Sequence, residues 1–394
     1  DNVLAVAPFT LISVSSLFSA RNWRDHGVVR KGQALSESFW TVPELFRRAG
    51  YLTLGFSDNP YVGKATRLAQ GFAEFREAWS DPLHERKRHL LHEDAEWYVP
   101  HRLPEMVEWL FADRLDEGLG DGPVFSYLHI MPPHGPYVPG PDHDLFGDPG
   151  YIGDIDGSAE QIADLENHRR SPSAADVRRL ESLYDGNLHR ADASVGRILE
   201  AWHDLGRERE LLVVVVSDHG EAFGEHGSFV HLSTVHDEML HVPVILWPRA
   251  QWRDVAPLQE ELFSLTDLSA LLLRRAGVGL PEGSRWPRRF IALMKGDVTV
   301  GRRQIVARSF VDAGLFGLRT ERYLAVYGGA RIQELYDLEA DPAAQRNLRG
   351  ERPELYTELI TSLRNTLRDA DAVEAGEARM SDDEVQALKA VGYF

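Results

Sequence analysis

The chain has 394 residues, of which 43% are hydrophobic. This is enough for one large α/β unit or two domains with a substantial core, and it excludes a disordered protein. The formal net charge of -18 argues against nucleic acid as a partner, because phosphate-binding surfaces are normally basic. The absence of cysteine excludes disulfides, thiolate nucleophiles and thiolate metal sites.

No stretch of the sequence approaches the ~20 consecutive apolar residues that cross a bilayer. We therefore expect a soluble chain without a membrane segment. The first residue is Asp1 rather than methionine, so the question whether a targeting or anchoring segment precedes it stays open. The sequence indicates neither the compartment nor the oligomeric state.

Short apolar runs alternate with amphipathic patterns along most of the chain. The runs "YLTLGFS" from Tyr51, "PVFSYLHI" from Pro123, "LLVVVVS" from Leu211 and "VPVILW" from Val242 are typical of buried parallel strands. Helical patterns cover residues 42–50, 104–119, 174–205 and 265–277. This order predicts an α/β fold with a mostly parallel central sheet, helices on both faces, and ligands beyond the carboxyl ends of the strands.

The last hundred residues have a different pattern. Short runs such as "RQIVARSF" and "RIQELYDL" predict antiparallel strands, and a helix is expected from about Pro353. We therefore predict a catalytic α/β domain over residues 1–298 and a small C-terminal α+β subdomain over residues 299–394.

Asp218 and His219 follow directly on the strand "LLVVVVS". A carboxylate and an imidazole at a rigid strand end can bind a divalent metal ion. The alternative is that Asp218 caps a following helix, with Gly220 making the turn. Local sequence does not decide between these two interpretations.

The segment "APFTLISVSSLFS" carries several hydroxyls at the start of a predicted helix. Capping of that helix by Thr10 or Ser13 is the interpretation that local sequence favours. The functional alternative makes one hydroxyl a nucleophile, placed where the helix dipole and free N–H groups also attract an anion.

A long loop, rich in proline, glycine and aspartate, follows the strand that ends near His129. A lone histidine such as His129 is more often a packed, hydrogen-bonded residue than a ligand. His134 lies among prolines that restrict its backbone, which is compatible with a preorganised catalytic group.

Taken in order, these segments resemble the sulfatase family of the alkaline phosphatase superfamily. The resemblance rests on "APFTLISVSSLFSARNWRDHGVV", "AGYLTLGFSDNPYV", "LHIMPPHGPYVP", "YDGNLHRADASVGRIL", "VVVVSDHGEAFGEHGSFVH" and "ELYDLEADPAAQRNL". It implies an alkaline-phosphatase-like fold, a nucleophile at Thr10, and Asp218 and His219 as ligands of one divalent metal ion. It also implies that His134 and His231 contact the transferring group.

The nucleophile segment departs from the family pattern. Sulfatases typically carry a Cys, sometimes a Ser, that is oxidised to formylglycine, whereas this chain has "TLISV" and no cysteine. A threonine there resembles the branch of the superfamily that transfers phosphoryl-linked groups, including phosphoglycerol transferases.

The start of the chain departs from the family pattern as well. The family begins with a strand that ends in one or two metal-binding aspartates, and "DNVLAVAPFT" resembles the loop after that strand. We therefore expect a fragment of a longer protein, with weakened metal affinity and weak or absent activity unless another acid substitutes.

The resemblance implies a metal-dependent hydrolase or transferase acting on anionic sulfate or phosphate esters. Thr10 would be both covalent nucleophile and metal ligand, and the ion could be Ca, Mn, Mg or Zn. A phosphodiesterase, a phosphonate hydrolase and a phosphoglycerol-type transferase are alternatives. The remaining alternative is a degenerate family member that binds an anionic ligand without turnover.

Overall fold

The computed structural model describes residues 2–83, 104–206, 211–252, 261–297, 304–368 and 374–390. Contacts divide the chain into two compact units. The first unit comprises residues 1–49, 212–222 and 231–378, and the second comprises residues 50–211, 223–230 and 379–394.

Helices in the described residues alternate with short strands. The helices are α1 (Thr10–Ser19), α2 (Trp23–His26), α3 (Val42–Arg48), α4 (Pro104–Asp116), α5 (Ala159–Glu166), α6 (Ala174–Asp204), α7 (Asp237–Leu240), α8 (Leu265–Arg275), α9 (Arg288–Met294), α10 (Pro353–Arg368) and α11 (Asp382–Ala390). The strands are β1 (Val3–Leu4), β2 (Gln33–Ala34), β3 (Leu52–Ser57), β4 (Glu74–Glu77), β5 (Val124–His129), β6 (Val213–Val216), β7 (Ala222–Phe223), β8 (Phe229–Val230), β9 (Val244–Trp247), β10 (Phe263–Ser264), β11 (Ile305–Arg308), β12 (Phe316–Arg319), β13 (Tyr323–Gly328), β14 (Ile332–Asp337) and β15 (Gly376–Glu377).

The first unit is built around α1, which is buried along its whole length and packs against α2, α3 and α8. Four serines lie in this helix, and burial of a hydroxyl is costly unless it is hydrogen-bonded. Ser16 and Ser19 donate their hydroxyls to the carbonyls of Ile12 and Ser15, one turn earlier. These local bonds let a serine-rich helix lie in a core.

Several small sheets complete the first unit. Strands β1 and β10 pair in parallel, and β11 to β14 form a four-stranded antiparallel sheet in sequence order. Strands β6 and β9 pair antiparallel, so the expectation that both belong to a set of parallel strands is wrong for this pair. Their continuous apolar sequences indicate burial but carry no information on direction. Val3 and Leu4 form strand β1 rather than a loop.

The second unit contains the parallel sheet β4-β3-β5, as the sequence predicts for β3 and β5. Helices α4 and α6 pack together beside it. Leu54 and Phe56 of β3 contact a buried cluster that includes Leu110, Phe111 and Trp202. Helix α6 begins at a capping box formed by Ser173 and Asp176, which explains its sharp start at the predicted position.

The predicted boundary between residues 298 and 299 lies outside the described residues and stays a prediction. The helix expected from about Pro353 is α10. No helix in the described part of the chain is long and apolar enough to cross a membrane.

His26 is a fully buried titratable group of the first unit. The Val28 N–H donates to Nδ1 at 3.1 Å, so the neutral ring carries its proton on Nε2 and donates it to the Ser16 hydroxyl at 2.9 Å. Burial, together with the positive charge of Arg21, lowers the pKa of His26 to about 3. A proton on Nδ1 would face the Val28 N–H, and two N–H groups repel each other at this distance. The ring therefore stays neutral in the folded protein.

We expect this histidine to make the protein less stable in mild acid. Below pH 6.5 the unfolded chain binds a proton that the folded chain excludes until about pH 3, so stability falls between these values. The slope contributed by one such group reaches about 1.4 kcal/mol per pH unit. Denaturant unfolding between pH 4 and 7 should show a shallower dependence for His26→Gln than for the unaltered chain. Exposed His168 provides the control substitution, and equal slopes would contradict the expectation.

Candidate active site

Thr10 is the first residue of α1, and its side chain is only 2% exposed. The N-cap is Phe9, in an extended conformation and without a side-chain cap, so the interpretation of Thr10 as a capping residue is wrong. Ser13 does not cap the helix either, because its hydroxyl donates to the Ala7 carbonyl at 2.8 Å. The Thr10 hydroxyl oxygen instead lies 3.2 Å from Nε2 of His219.

Asp218 and His219 lie two and three residues after β6. The ring of His219 donates Nδ1–H to the Gly220 carbonyl at 2.9 Å, which leaves the lone pair of Nε2 facing the Thr10 hydroxyl. Nε2 also lies 3.7 Å from Oδ2 of Asp218. The residues after Asp218 form a bend and then β7, so the capping interpretation of Asp218 is wrong as well.

Gly220 fixes the position of the His219 segment. Its N–H donates to the Met239 carbonyl at 2.7 Å, and a Cβ at this position would lie 2.0 Å from the Glu238 carbonyl oxygen. Only glycine allows the two backbones to approach this closely. The signal was visible in the sequence as the glycine after Asp218 and His219, although it serves close approach rather than a helix cap.

His231 lies beside His219, with ring centroids 4.6 Å apart. It is 2% exposed, and its Nδ1 lies 3.1 Å from the Glu221 carboxylate, which is itself buried. The residues on either side, Val230 and Leu232, have φ values of 65° and 93°. Left-handed backbone at such residues costs of order 1–3 kcal/mol and is concentrated at functional sites.

Two residues directly after β11 support both sides of this cluster, and no motif in the sequence indicated them. Ser309 donates its hydroxyl to the Leu232 carbonyl at 3.0 Å, and the Phe310 N–H donates to the same carbonyl at 3.1 Å. The Phe310 ring stacks on Phe9 with centroids 3.9 Å apart. The segment after β11 therefore holds the neighbour of His231 and the neighbour of Thr10 at once.

His134 belongs to the second unit, in the loop after β5. Its ring donates Nδ1–H to the Gly135 carbonyl at 2.7 Å, and the Pro132–Pro133 and Gly135–Pro136 bonds on either side are cis. The role predicted for His134 stays a prediction. His129, at the end of β5, hydrogen-bonds Tyr127 at 2.9 Å and Asn59 at 3.4 Å.

Thr10, Asp218 and His219 present a donor set that fits one divalent metal ion. Nε2 of His219 lies 3.2 Å from Oγ1 of Thr10 and 3.7 Å from Oδ2 of Asp218. Donors that share an ion at about 2.0–2.5 Å lie at similar separations from each other. Oδ2 of Asp218 is also buried, and a buried carboxylate oxygen favours a cation beside it.

The sulfatase family model matches residues 2–278, which is more than half of the chain. This chain belongs to the sulfatase family. Among curated proteins, bovine (Bos taurus) arylsulfatase K is 27% identical over 210 residues, covering 49% of this chain and 37% of the bovine protein. The chain thus matches well under half of the length of that relative.

Solved structures confirm the alkaline-phosphatase-like α/β fold. A phosphonate monoester hydrolase from Silicibacter pomeroyi, SpPMH, is similar with a TM-score of 0.66 at 20% identity, covering 93% of this chain and 87% of the other. A putative sulfatase from Bacteroides thetaiotaomicron reaches a TM-score of 0.70 at 17% identity, covering 95% and 86%. At 20% and 17% identity, the likeness to these two structures shows a shared fold.

We expect Gly220→Ala to displace His219 from Thr10. The added Cβ would collide with the Glu238 carbonyl, and overpacking of this kind typically costs about 1–3 kcal/mol. Thermal unfolding should show a lower midpoint, and divalent-metal affinity should fall with it. Gly279→Ala is the matched control, because a Cβ there meets nothing within 4 Å. Equal behaviour of the two variants would contradict the role given to Gly220.

Proposed function

We propose that this member of the sulfatase family hydrolyses an anionic sulfate ester in a metal-dependent reaction, with Thr10 as the covalent nucleophile. The observation that carries the proposal is the approach of the Thr10 hydroxyl to His219 and Asp218, with the His231 ring beside that of His219. Thr10 and His219 lie 209 positions apart along the chain, yet they meet in one cluster.

Thr10 attacks the sulfur atom in line with the leaving oxygen. A bond forms between Oγ1 and sulfur as the bond from sulfur to the leaving oxygen breaks, the Oγ1 proton passes to water, and the leaving oxygen takes a proton from Nε2 of His231. Water then cleaves the enzyme ester at sulfur and restores the hydroxyl. In the structure the Oγ1 proton points at Nε2 of His219, which holds the hydroxyl in one orientation.

Thr10, Asp218 and His219 would hold the divalent ion, as their donor set indicates. When bound, the ion would stabilise the alkoxide form of Thr10 and offset negative charge on the transferring group. The lone pair of His219 Nε2 serves one partner at a time, so its hydrogen bond with Thr10 gives way when an ion is bound. Asp, His and a hydroxyl suit Mn, Mg, Ca or Zn.

His231 is oriented to act through Nε2. The Glu221 carboxylate accepts Nδ1–H, which fixes the orientation of the ring. When the ring carries a second proton, Nε2 donates it to an oxygen of the transferring group or to the leaving oxygen. We assign the same class of task to His134, whose ring is oriented by the Nδ1–H bond to the Gly135 carbonyl.

A phosphonate monoester or phosphodiester is the second candidate substrate. Two observations favour it: the chain has no cysteine to oxidise to formylglycine, and a phosphonate monoester hydrolase shares the fold. A plain threonine hydroxyl can form a phosphoryl ester by the same in-line attack. The cluster of Thr10, His219 and His231 serves either tetrahedral centre.

We expect Thr10→Ala to lose turnover by on the order of 10³-fold or more, because it removes the attacking oxygen. Thr10→Ser should keep measurable turnover. The assay uses p-nitrophenyl sulfate, bis-p-nitrophenyl phosphate and a phosphonate monoester in parallel. Ser15→Ala is the matched control: this buried hydroxyl in the same helix makes no hydrogen bond to the described residues. Unchanged turnover in Thr10→Ala would exclude Thr10 as nucleophile. No turnover of any ester by the unaltered, metal-loaded chain would instead support the non-catalytic alternative.

We expect Asp218→Asn to weaken divalent-metal binding by at least about 100-fold, because it removes the anionic ligand. Competition with a chelating dye measures this for Mn²⁺, Ca²⁺ and Zn²⁺. Asp204→Asn, at the exposed end of α6, controls for the general loss of a negative charge. Equal affinities in the two variants would exclude Asp218 as a ligand.

A further inference from the structure

Two histidines of the second unit meet away from the residues discussed so far. His143 lies in the loop after β5, and His189 lies in α6. Their Nδ1 atoms are 2.9 Å apart, with ring centroids at 5.0 Å. Both rings reach the surface, so an ion from solution has access to them.

Gly186 brings the loop against the helix, one turn before His189. A Cβ at position 186 would lie 2.7 Å from the His143 carbonyl oxygen and 2.8 Å from two carbons of Pro139. A backbone carbonyl and a proline ring cannot move aside to make room for this Cβ, as the end of a flexible side chain could. The approach of His143 to His189 therefore depends on the absence of a side chain at Gly186.

Polar contacts hold the loop before His143. Asn187 donates its amide to the Pro136 carbonyl at 3.2 Å, and Arg190 donates to the Pro139 carbonyl at 3.4 Å. Both Asn187 and Arg190 are buried. With Gly186 they form one face of α6 that receives the loop.

A second anchor holds the loop after His143. Arg179 lies about two turns before Gly186 in α6, and its guanidinium donates to both carboxylate oxygens of Asp144 at 2.7 Å. The N–H groups of His143 and Asp144 both donate to the Gly140 carbonyl at 3.1 Å. His143 is therefore fixed on both sides, and its ring is positioned before any ligand arrives.

The separation of the two nitrogens matches that of two ligands on one ion. Nitrogens bound at about 2.0–2.1 Å to the same metal lie about 3 Å from each other. In the absence of metal, one ring donates its Nδ1–H to the other. Burial, and the charge of nearby Arg190, lower the pKa of His143.

We propose that His143 and His189 bind a divalent transition-metal ion through their Nδ1 atoms and thereby clamp the loop after β5 onto α6. Imidazole pairs suit Zn²⁺, Ni²⁺ and Cu²⁺. Water completes the coordination. This site uses two nitrogen ligands, whereas Thr10, Asp218 and His219 offer mainly oxygen, so the two sites differ in the ions they prefer.

The clamp acts on the loop that also carries His134. An ion bound only in the folded state stabilises the loop by mass action. We therefore expect added Zn²⁺ to protect residues 140–155 from limited proteolysis. That protection does not depend on which ester, if any, the protein hydrolyses.

The test measures Zn²⁺ and Ni²⁺ binding to the full chain by calorimetry at pH 7.5. His143→Ala and His189→Ala should each lose one bound ion per chain, or bind it at least about 10-fold more weakly. His203→Ala, at the exposed end of the same helix, is the control. Equal zinc binding by His143→Ala, His189→Ala and His203→Ala would overturn the proposal. His143→Asn repeats the measurement if the alanine variant melts early.

A glycine substitution tests the positioning without removing a ligand. Gly186→Ala should push the loop away and weaken zinc binding by a similar factor. Gly196→Ala, in the same helix, adds a Cβ that meets nothing within 4 Å and should bind zinc like the unaltered chain. Equal zinc affinity in the two glycine variants would show that the loop position does not create a site.

Discussion

The close approach of the Thr10 hydroxyl to the His219 imidazole joins two segments 209 residues apart, and the candidate site depends on it. Both groups are largely excluded from water, so each must find a polar partner inside the protein. Three features bring them together. Helix α1 is buried throughout, Gly220 lets the His219 segment approach the Glu238 backbone, and Phe310 stacks on Phe9 beside Thr10. None of these features is catalytic, yet each sets a distance within the site.

The arrangement of charge in the cluster bears on how a chain of net charge -18 could bind the proposed anionic ester. The two carboxylates of the cluster, Asp218 and Glu221, each lie next to an imidazole, at 3.7 Å and 3.1 Å. A carboxylate that faces an imidazole favours a proton or a cation there, because opposite charges close together stabilise each other. In the proposed reaction the two carboxylates would therefore act through the neighbouring imidazoles and a bound cation.

The sequence predicted individual elements better than their mutual arrangement. Helix α6 and strands β3 and β5 follow from periodicity, and α6 starts where its capping box indicates. The direction in which β6 pairs with β9 was not predictable, because a run of valines is equally typical of a parallel and of an antiparallel strand. The proximity of Thr10 to His219 came from family resemblance alone, since local sequence favoured a helix cap. The support from Ser309 had no sequence signal, because it rests on one hydroxyl meeting a carbonyl 77 positions away.

The start of α1 gives a physical reason for the nucleophile that we propose at Thr10. Helices usually begin with a side-chain cap, and loss of a cap costs about 1 kcal/mol. Here the N-cap is Phe9, and the first turn contains no acidic residue. The positive end of the helix dipole is therefore not neutralised by the helix's own side chains. It lies at the Thr10 hydroxyl, where the proposed reaction would develop negative charge on the attacking oxygen and on the oxygens of the transferring group. A capping serine or aspartate would stabilise the helix but would place its own oxygen where the proposal requires the substrate's oxygens to bind.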